Sequence, residues 1–343
     1  MIDLEKSFRD RSVMVTGGLG FIGSNLAIRL AEAGARVTVV DSLIDDYGGN
    51  LFNLHGYEDR IRINIADVRT APTMNYLVRG QHFIFNLAGQ VSHLDSMEDP
   101  YTDLEINCRS QLSILEACRK FNPEVKIIFA ATRQQYGKPQ YLPVDERHLM
   151  MPTDVNGINK IAGEMYHLLY NNVYGIRAAS LRLTNTYGPR MLVKHNRQGF
   201  VGVFIRQAIN GEEIKIFGDG KQRRDFNYVD DVVNALLLAA VEERANGEAF
   251  NLGGLEVFNL INFVETLIEV AGSGSYTIVP FPENKKKIDI GDYYGNYEKI
   301  RSVLEWEPHV KLREGLEKTV AYFRQHKKHY WPNTEKFELK KNC

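Results

Sequence analysis

Three glycines, Gly17, Gly20 and Gly23, stand at GxxGxxG spacing in "TGGLGFIG". Glycine at such positions permits a tight turn, close approach of the backbone to a bound group, and close packing of a helix on a strand. The helix that opens near Ser24 leaves its first N–H groups unpaired and at positive potential. The matching guest is a diphosphate, cradled by Gly17, Gly20, Phe21, Ile22 and Gly23. Asp41 closes "RVTVVD"; a carboxylate there can accept hydrogen bonds from both hydroxyls of a ribose and repels a 2′-phosphate, which favours NAD over NADP. Asp67, in "NIADV", is placed to receive an adenine amino group, and an ordinary strand-end turn is the other reading open to it.

Such a site needs a strand before the glycines and a sheet beside them. The first half of the chain alternates short β-branched runs with amphipathic stretches of helical length, the pattern of a parallel sheet wrapped by helices. "SVMVTGG", "ARVTVVD", "RIRINIADV", "HFIFNLAG", "VKIIFAAT" and "IRAASLRLTN" read as successive strands, with helices over "GSNLAIRLAEAG" and "DLEINCRSQLSILEACRKF". The fold class is therefore α/β, a Rossmann-type doubly wound parallel sheet. After Met191 the pattern loosens, with a further helix from about Val232 to Glu243, and implies a smaller mixed lobe closing over the carboxyl edge of the sheet. The boundaries predicted are 1–190 for the dinucleotide domain, with later segments returning to it, 191–327 for the substrate lobe, and 328–343 for a charged tail.

The bulk properties narrow the partners. The chain has 343 residues, 44% hydrophobic, with 42 basic against 43 acidic side chains, so no global charge directs it to nucleic acid or to an anionic membrane. Cys108, Cys118 and Cys343 have no paired metal-ligand spacing and fit a reducing compartment. The N-terminal segment lacks the apolar core of a signal peptide, and no apolar run approaches the roughly 20 residues needed to span a bilayer. A cytoplasmic location and no metal are the expectations.

Several further motifs fall in one order: "NLAGQ", "ATRQQYG", the helix of "INKIAGEMYH", "LRLTNTYGPR" and "RDFNYVDD". With the glycine motif they make the sequence resemble an extended short-chain dehydrogenase/reductase of the nucleotide-sugar epimerase/dehydratase family, of the UDP-glucose 4-epimerase kind, from about Val13 to about Arg324. The resemblance implies that Thr132 hydrogen-bonds the sugar oxygen being oxidised, and that Lys160 binds the nicotinamide ribose and lowers the pKa of a neighbouring tyrosine. It implies that Asn107 supports the cofactor site, that Asn185 contacts the substrate diphosphate, and that Arg224 holds the phosphates or ribose of a UDP-sugar, with Arg223 its neighbour. Lys287 stands where the family often has another arginine, and residues 194–198 form a polar loop suited to sugar or base or simply to solvent. A homodimer through the helix after Asp103 and the helix of Lys160 is implied as well.

One position departs from the pattern. Four residues before Lys160, on the same helix face, the family places its tyrosine, and this chain has Asn156. A carboxamide does not act as a general base. Three accounts stand open: another group moves the proton, with Tyr136 or a desolvated Lys160 the candidates; the protein binds NAD and a nucleotide sugar but catalyses little; or Asn156 is an introduced substitution. After Thr132 come Arg133 and Gln134 rather than acids, which weighs against dehydration, and Arg133 can recognise an acidic group of the substrate. The activity implied is epimerisation by transient oxidation of a sugar hydroxyl, with a ketosugar reductase or dehydratase-like enzyme and a weakly catalytic binding protein as alternatives.

Overall fold

A computed structural model describes residues 4–44, 47–195, 197 and 199–331. All six predicted strands form: β1 (Ser12–Thr16), β2 (Arg36–Asp41), β3 (Ile61–Ile65), β4 (Phe83–Asn86), β5 (Lys126–Thr132) and β6 (Ala178–Leu183). They are followed by β7 (Asn185–Tyr187), β8 (Glu213–Phe217), β9 (Arg223–Tyr228), β10 (Ala249–Asn251), β11 (Val257–Asn259) and β12 (Ser275–Val279). The central sheet has seven strands in the order β10-β6-β5-β4-β1-β2-β3, all parallel. Val13, Met14 and Val15 in β1 and Ile127, Ile128 and Phe129 in β5 are wholly buried, as a parallel sheet covered on both faces requires. Two apolar layers do the covering, one around Leu26, Leu30 and Leu236, the other around Ile114, Leu115 and Val78. Where the order reverses between β1 and β4, the helices diverge and leave a crevice beyond the carboxyl ends of the strands.

The later segments build small sheets, β11-β9-β7 and β12-β8, beside that crevice, and return β10 to the edge of the central sheet. The helix predicted over Val232–Glu243 runs Val229–Val241. It starts earlier because β9 feeds straight into it, with Asp230 and Asp231 in the first turn where acidic groups suit the helix dipole. The predicted helix over Asp103–Phe121 also differs, since Glu105–Arg109 is a π-helical turn between Pro100–Leu104 and Ser110–Phe121. Of the predicted tail, Tyr330 and Trp331 pack into the main core, and the Tyr330 hydroxyl donates to Asn53 at 2.6 Å; residues 332–343, Cys343 among them, lie outside the described residues. Among the described residues no helix is long and apolar enough to cross a membrane.

Candidate functional site

A cavity of about 920 Å³ follows the carboxyl edge of the sheet, from the glycine loop past Thr132 and Lys160 to Arg224. At one end Gly17 takes φ +68°, and a β-carbon built there would lie 2.9 Å from the Leu87 carbonyl oxygen. At Gly23 it would lie 2.2 Å from the Gly17 oxygen. Only glycine fits both places, and the result is that the helix Phe21–Glu32 presents its uncapped first turn, Phe21, Ile22 and Gly23, to the cavity. An uncapped helix N-terminus over a glycine turn is the setting in which diphosphates are bound.

Asp41 lines the same end, its carboxylate accepting from the backbone N–H groups of Leu19 and Leu43, both at 3.0 Å. Burial raises its pKa and those two hydrogen bonds act the other way. Asp67 also lines the cavity, but its carboxylate is gripped by Arg69, with the shortest contact 2.6 Å. That hydrogen-bonded guanidinium holds it below the usual carboxylate range against the effect of burial, so an adenine amino group there would compete with Arg69.

At the centre, Thr132 ends β5 and lines the cavity, its hydroxyl accepting from the Gln134 N–H at 3.2 Å and donating to no partner among the described residues, so that its proton is available to a ligand. The helix Val155–Tyr174 delivers Lys160, whose Nζ donates to the Ala130 carbonyl at 3.1 Å and lies 5.0 Å from the centre of the Phe129 ring. Burial draws the ammonium down to about 8, and the charge of Asp103 opposes the shift. Asn156 lines the cavity one turn earlier. Its Nδ2 donates to the Gln90 carbonyl at 2.8 Å and to Asp103 Oδ2 at 3.1 Å. Asn107 and Asn159 donate to the same buried carboxylate at 3.0 and 2.7 Å, so three amides surround Asp103.

Two sequence expectations need correction. Tyr136 does not line the cavity: it is wholly buried, donating to Asn251 Oδ1 and accepting from Arg182 Nη1, both at 2.6 Å. The 3₁₀ turn Arg133–Tyr136 carries it inward to pack with Val144, Ile290 and Tyr293. Burial pushes its phenol up to about 12 even with Arg182 beside it, which is the wrong direction for a base. Asn107, expected at the cofactor, sits behind the cavity wall instead, because the π-helical turn directs its amide to the Gln90 carbonyl at 2.9 Å. A β-carbon at Gly89 would lie 2.8 Å from Asn107 Oδ1 and 3.0 Å from Lys160 Nζ, so that glycine admits both polar groups.

The far end is cationic. Arg133 donates to Asn185 Oδ1 at 3.1 Å and lies over the Tyr293 ring, leaving a buried Nη1 without a partner among the described residues. Arg224 donates to the Gly291 and Arg223 carbonyls and stands 3.8 Å from Asp289. Burial, joined by the charge of Arg133, pulls it down to about 10, so the two guanidiniums feel one another and favour an anion between them. Asn185 is fixed by the Asp225 carbonyl at 2.9 Å. Arg223 faces outward on Asp292, and Lys287 is exposed and outside the cavity. In the polar loop, Arg197 lines the cavity and pairs with Asp95 at 2.9 Å; Asn196 and Gln198 lie outside the described residues.

Sequence reasoning missed Gln90, His93, Asp103 and Asp154. Asp154 caps the helix of Lys160 by accepting from the Gly157 N–H at 2.7 Å, and the sequence "TDVNG" before an apolar helix carries that signal. His93 begins the helix His93–Glu98 and lines the cavity; it lies on the exit of β4, where a switch-point ligand should sit.

The profile of the NAD dependent epimerase/dehydratase family matches residues 13–253. A putative UDP-glucose 4-epimerase of Methanocaldococcus jannaschii is 34% identical over 316 residues, covering 91% of this chain and 98% of that protein. The UDP-glucose 4-epimerase of Thermotoga maritima, solved with UDP-glucose, superposes with a TM-score of 0.83 at 33% identity, covering 92% of this chain and 99% of the other. That of Thermus thermophilus, solved with NAD, gives 0.80 at 29%, covering 91% and 99%. With a glycine cradle, an acidic strand end and Lys160 arranged along one edge of such a sheet, the chain belongs to the NAD dependent epimerase/dehydratase family.

Proposed function

We propose that the protein is a nucleotide-sugar epimerase acting on a UDP-sugar by transient oxidation of one hydroxyl. The observation that carries this reading is the single cavity joining the glycine cradle to the paired guanidiniums, with Thr132 and Lys160 between them. NAD, when bound, supplies a hydride acceptor that can give the hydride back. Gly17, Gly20, Phe21, Ile22 and Gly23 would hold its diphosphate, Asp41 a ribose, and Lys160 the nicotinamide ribose. Thr132 orients the reacting hydroxyl through its free proton. Arg133, Asn185 and Arg224 bind the diphosphate or an acidic group of the sugar by charge-assisted hydrogen bonds. Neither Arg133 nor Gln134 can serve as the acid that dehydration needs.

A homodimer is part of the proposal. Ile158, Met165, Leu169 and Val173 are 56, 43, 49 and 61% exposed along one stripe of the helix Val155–Tyr174, beside Tyr101 at 78%, and an apolar stripe of this size is a reason to expect a partner. We place the protein in the cytoplasm, which suits the unpaired Cys108 and Cys118.

The test is incubation with UDP-glucose and UDP-galactose, followed by proton NMR of the sugar and by absorbance of reduced nicotinamide. Interconversion with no net absorbance change is the result expected. Consumption of reduced nicotinamide in step with product identifies a reductase, and binding of both sugars without turnover identifies a binding protein.

A further inference from the structure

Position 156 holds a carboxamide, Tyr136 is buried, and Lys160 donates to the Ala130 carbonyl, so the cavity needs another group to move a proton beside Thr132. Its remaining titratable side chains can be sorted by place. Asp41 and Asp67, the latter held by Arg69, lie at the dinucleotide end, Asp289 with Arg133 and Arg224 lies at the opposite one, and Glu213 and Lys215 belong to β8 of the small β12-β8 sheet beside the crevice. Asp95 is paired with Arg197 at 2.9 Å. Tyr47 lines the cavity, but burial and the charge of Asp95 push its phenol away from ionisation. His93 is left.

The histidine is built into the site. Its Nδ1 lies 3.0 Å from Asp154 Oδ2, an ion-pair contact set off the line of a straight hydrogen bond, and its side chain is 37% exposed while that of Asp154 is 0% exposed. Asp154 is fixed on two further sides, accepting from the Gly157 N–H at 2.7 Å and from Gln134 Nε2 at 2.8 Å. Gln134 in turn donates its backbone N–H to Thr132 Oγ1 at 3.2 Å. One connected set of polar contacts therefore runs from His93 through Asp154 and Gln134 to the hydroxyl that orients the sugar, and Asp154 stands two residues before Asn156. A carboxylate 3.0 Å from Nδ1 favours the tautomer with its proton on that nitrogen, which makes Nε2 the acceptor. Nε2 has no partner among the described residues.

We propose that His93, oriented by Asp154, takes the proton of the reacting sugar hydroxyl and returns it, the task a phenol at position 156 would otherwise perform. This inference rests on the nucleotide-sugar reading above. The O–H bond of the sugar breaks and its proton passes to Nε2 as the carbon gives up its hydride to the cofactor. When the hydride returns to the ketone carbon, the proton goes from Nε2 to the ketone oxygen, and the enzyme regains its starting state.

The experiment compares the full-length protein with His93→Gln and His93→Gly. Calorimetry with NAD and UDP-glucose reads binding, NMR reads turnover, and added imidazole reads rescue. His93→Gln is expected to bind both ligands within about 3-fold of wild type and to lose roughly 10²–10⁴ in kcat, the usual contribution of a positioned acid/base. Imidazole should restore part of the turnover of His93→Gly and none of that of His93→Gln. Full turnover by both variants overturns the assignment and leaves the epimerase reading intact. If wild type turns over neither sugar, the epimerase reading fails, and the assignment is judged by the His93 ring resonances alone: a shift on saturation with UDP-glucose supports it, and unchanged resonances overturn it.

Discussion

Replacing Gly23 by alanine tests whether the first helix must touch the glycine loop for a dinucleotide to bind. A β-carbon there would stand 2.2 Å from the Gly17 oxygen and 2.8 Å from the Gly18 α-carbon. Both neighbours are backbone and cannot rotate aside. To reach ordinary contact the helix must retreat by about 1 Å, and overpacking of this kind costs about 1–3 kcal/mol. The same retreat draws the uncapped N–H groups of Phe21 and Ile22 away from the diphosphate. At roughly 1.4 kcal/mol per factor of ten, NAD affinity should fall by about 10- to 100-fold. Gly20→Ala is the control: its φ is −78°, and the nearest atom to its added carbon, the Gly17 oxygen, lies at 3.2 Å. Thermal unfolding without ligand should separate the two variants, with Gly23→Ala lower by several degrees and Gly20→Ala near wild type, while titration calorimetry reads NAD binding. A Gly23→Ala protein with wild-type melting temperature and wild-type NAD affinity would refute the reasoning.

Other consequences follow from the polar groups inside the fold. Tyr136→Phe removes one hydrogen bond from Arg182 and one to Asn251, so urea unfolding should show a loss of about 1–3 kcal/mol with NAD affinity unchanged. Lys160→Met removes a buried ammonium that makes one hydrogen bond, to a carbonyl, and should leave the ligand-free protein at least as stable by the same measurement while weakening NAD binding at least about 10-fold, the worth of about 1.4 kcal/mol of lost contact. His167 is buried as a neutral ring, with Nδ1 2.7 Å from the Gly163 carbonyl and Nε2 3.3 Å from Asn86 Nδ2. Burial, helped by the charge of Lys160, draws it down to about 4 from 6.5. The unfolded chain then binds the extra proton first, so the stability this ring contributes is complete above pH 6.5 and is lost as the pH falls toward 4. The loss reaches about 2 kcal/mol by pH 5 at 1.36 kcal/mol per unit, and unfolding of His167→Gln should depend less on pH between 6.5 and 5. Leu169→Arg should turn a dimer into a monomer in sedimentation, because a guanidinium would replace an apolar side chain in the exposed stripe.

The parallel sheet was legible because β-branched runs buried on both faces alternate with stretches of helical period, and the glycine cradle was legible because its spacing reports backbone conformation directly. Thr132, Lys160, Asn185 and Arg224 lie at strand exits or on one helix face, where sequence order predicts spatial order. Tyr136 was misplaced because four residues after a strand the direction of a side chain depends on the turn: a 3₁₀ turn buried it against Asn251, more than a hundred residues away. Asn107 was misplaced by a π-helical turn, which a helical period cannot register. His93 and Asp154 lie 61 residues apart in the chain, and their meeting follows from the packing of two helices over the exit of β4, information that no local spacing contains.

The central claim, that a sugar hydroxyl is oxidised and restored within one cavity, is tested most directly with UDP-glucose carrying deuterium at the carbon that epimerises. The account predicts that the epimer keeps the deuterium, none of it reaching solvent, with no net reduced nicotinamide formed. An epimer that has exchanged its deuterium for solvent hydrogen would contradict it, since that carbon would then have lost a proton rather than a hydride.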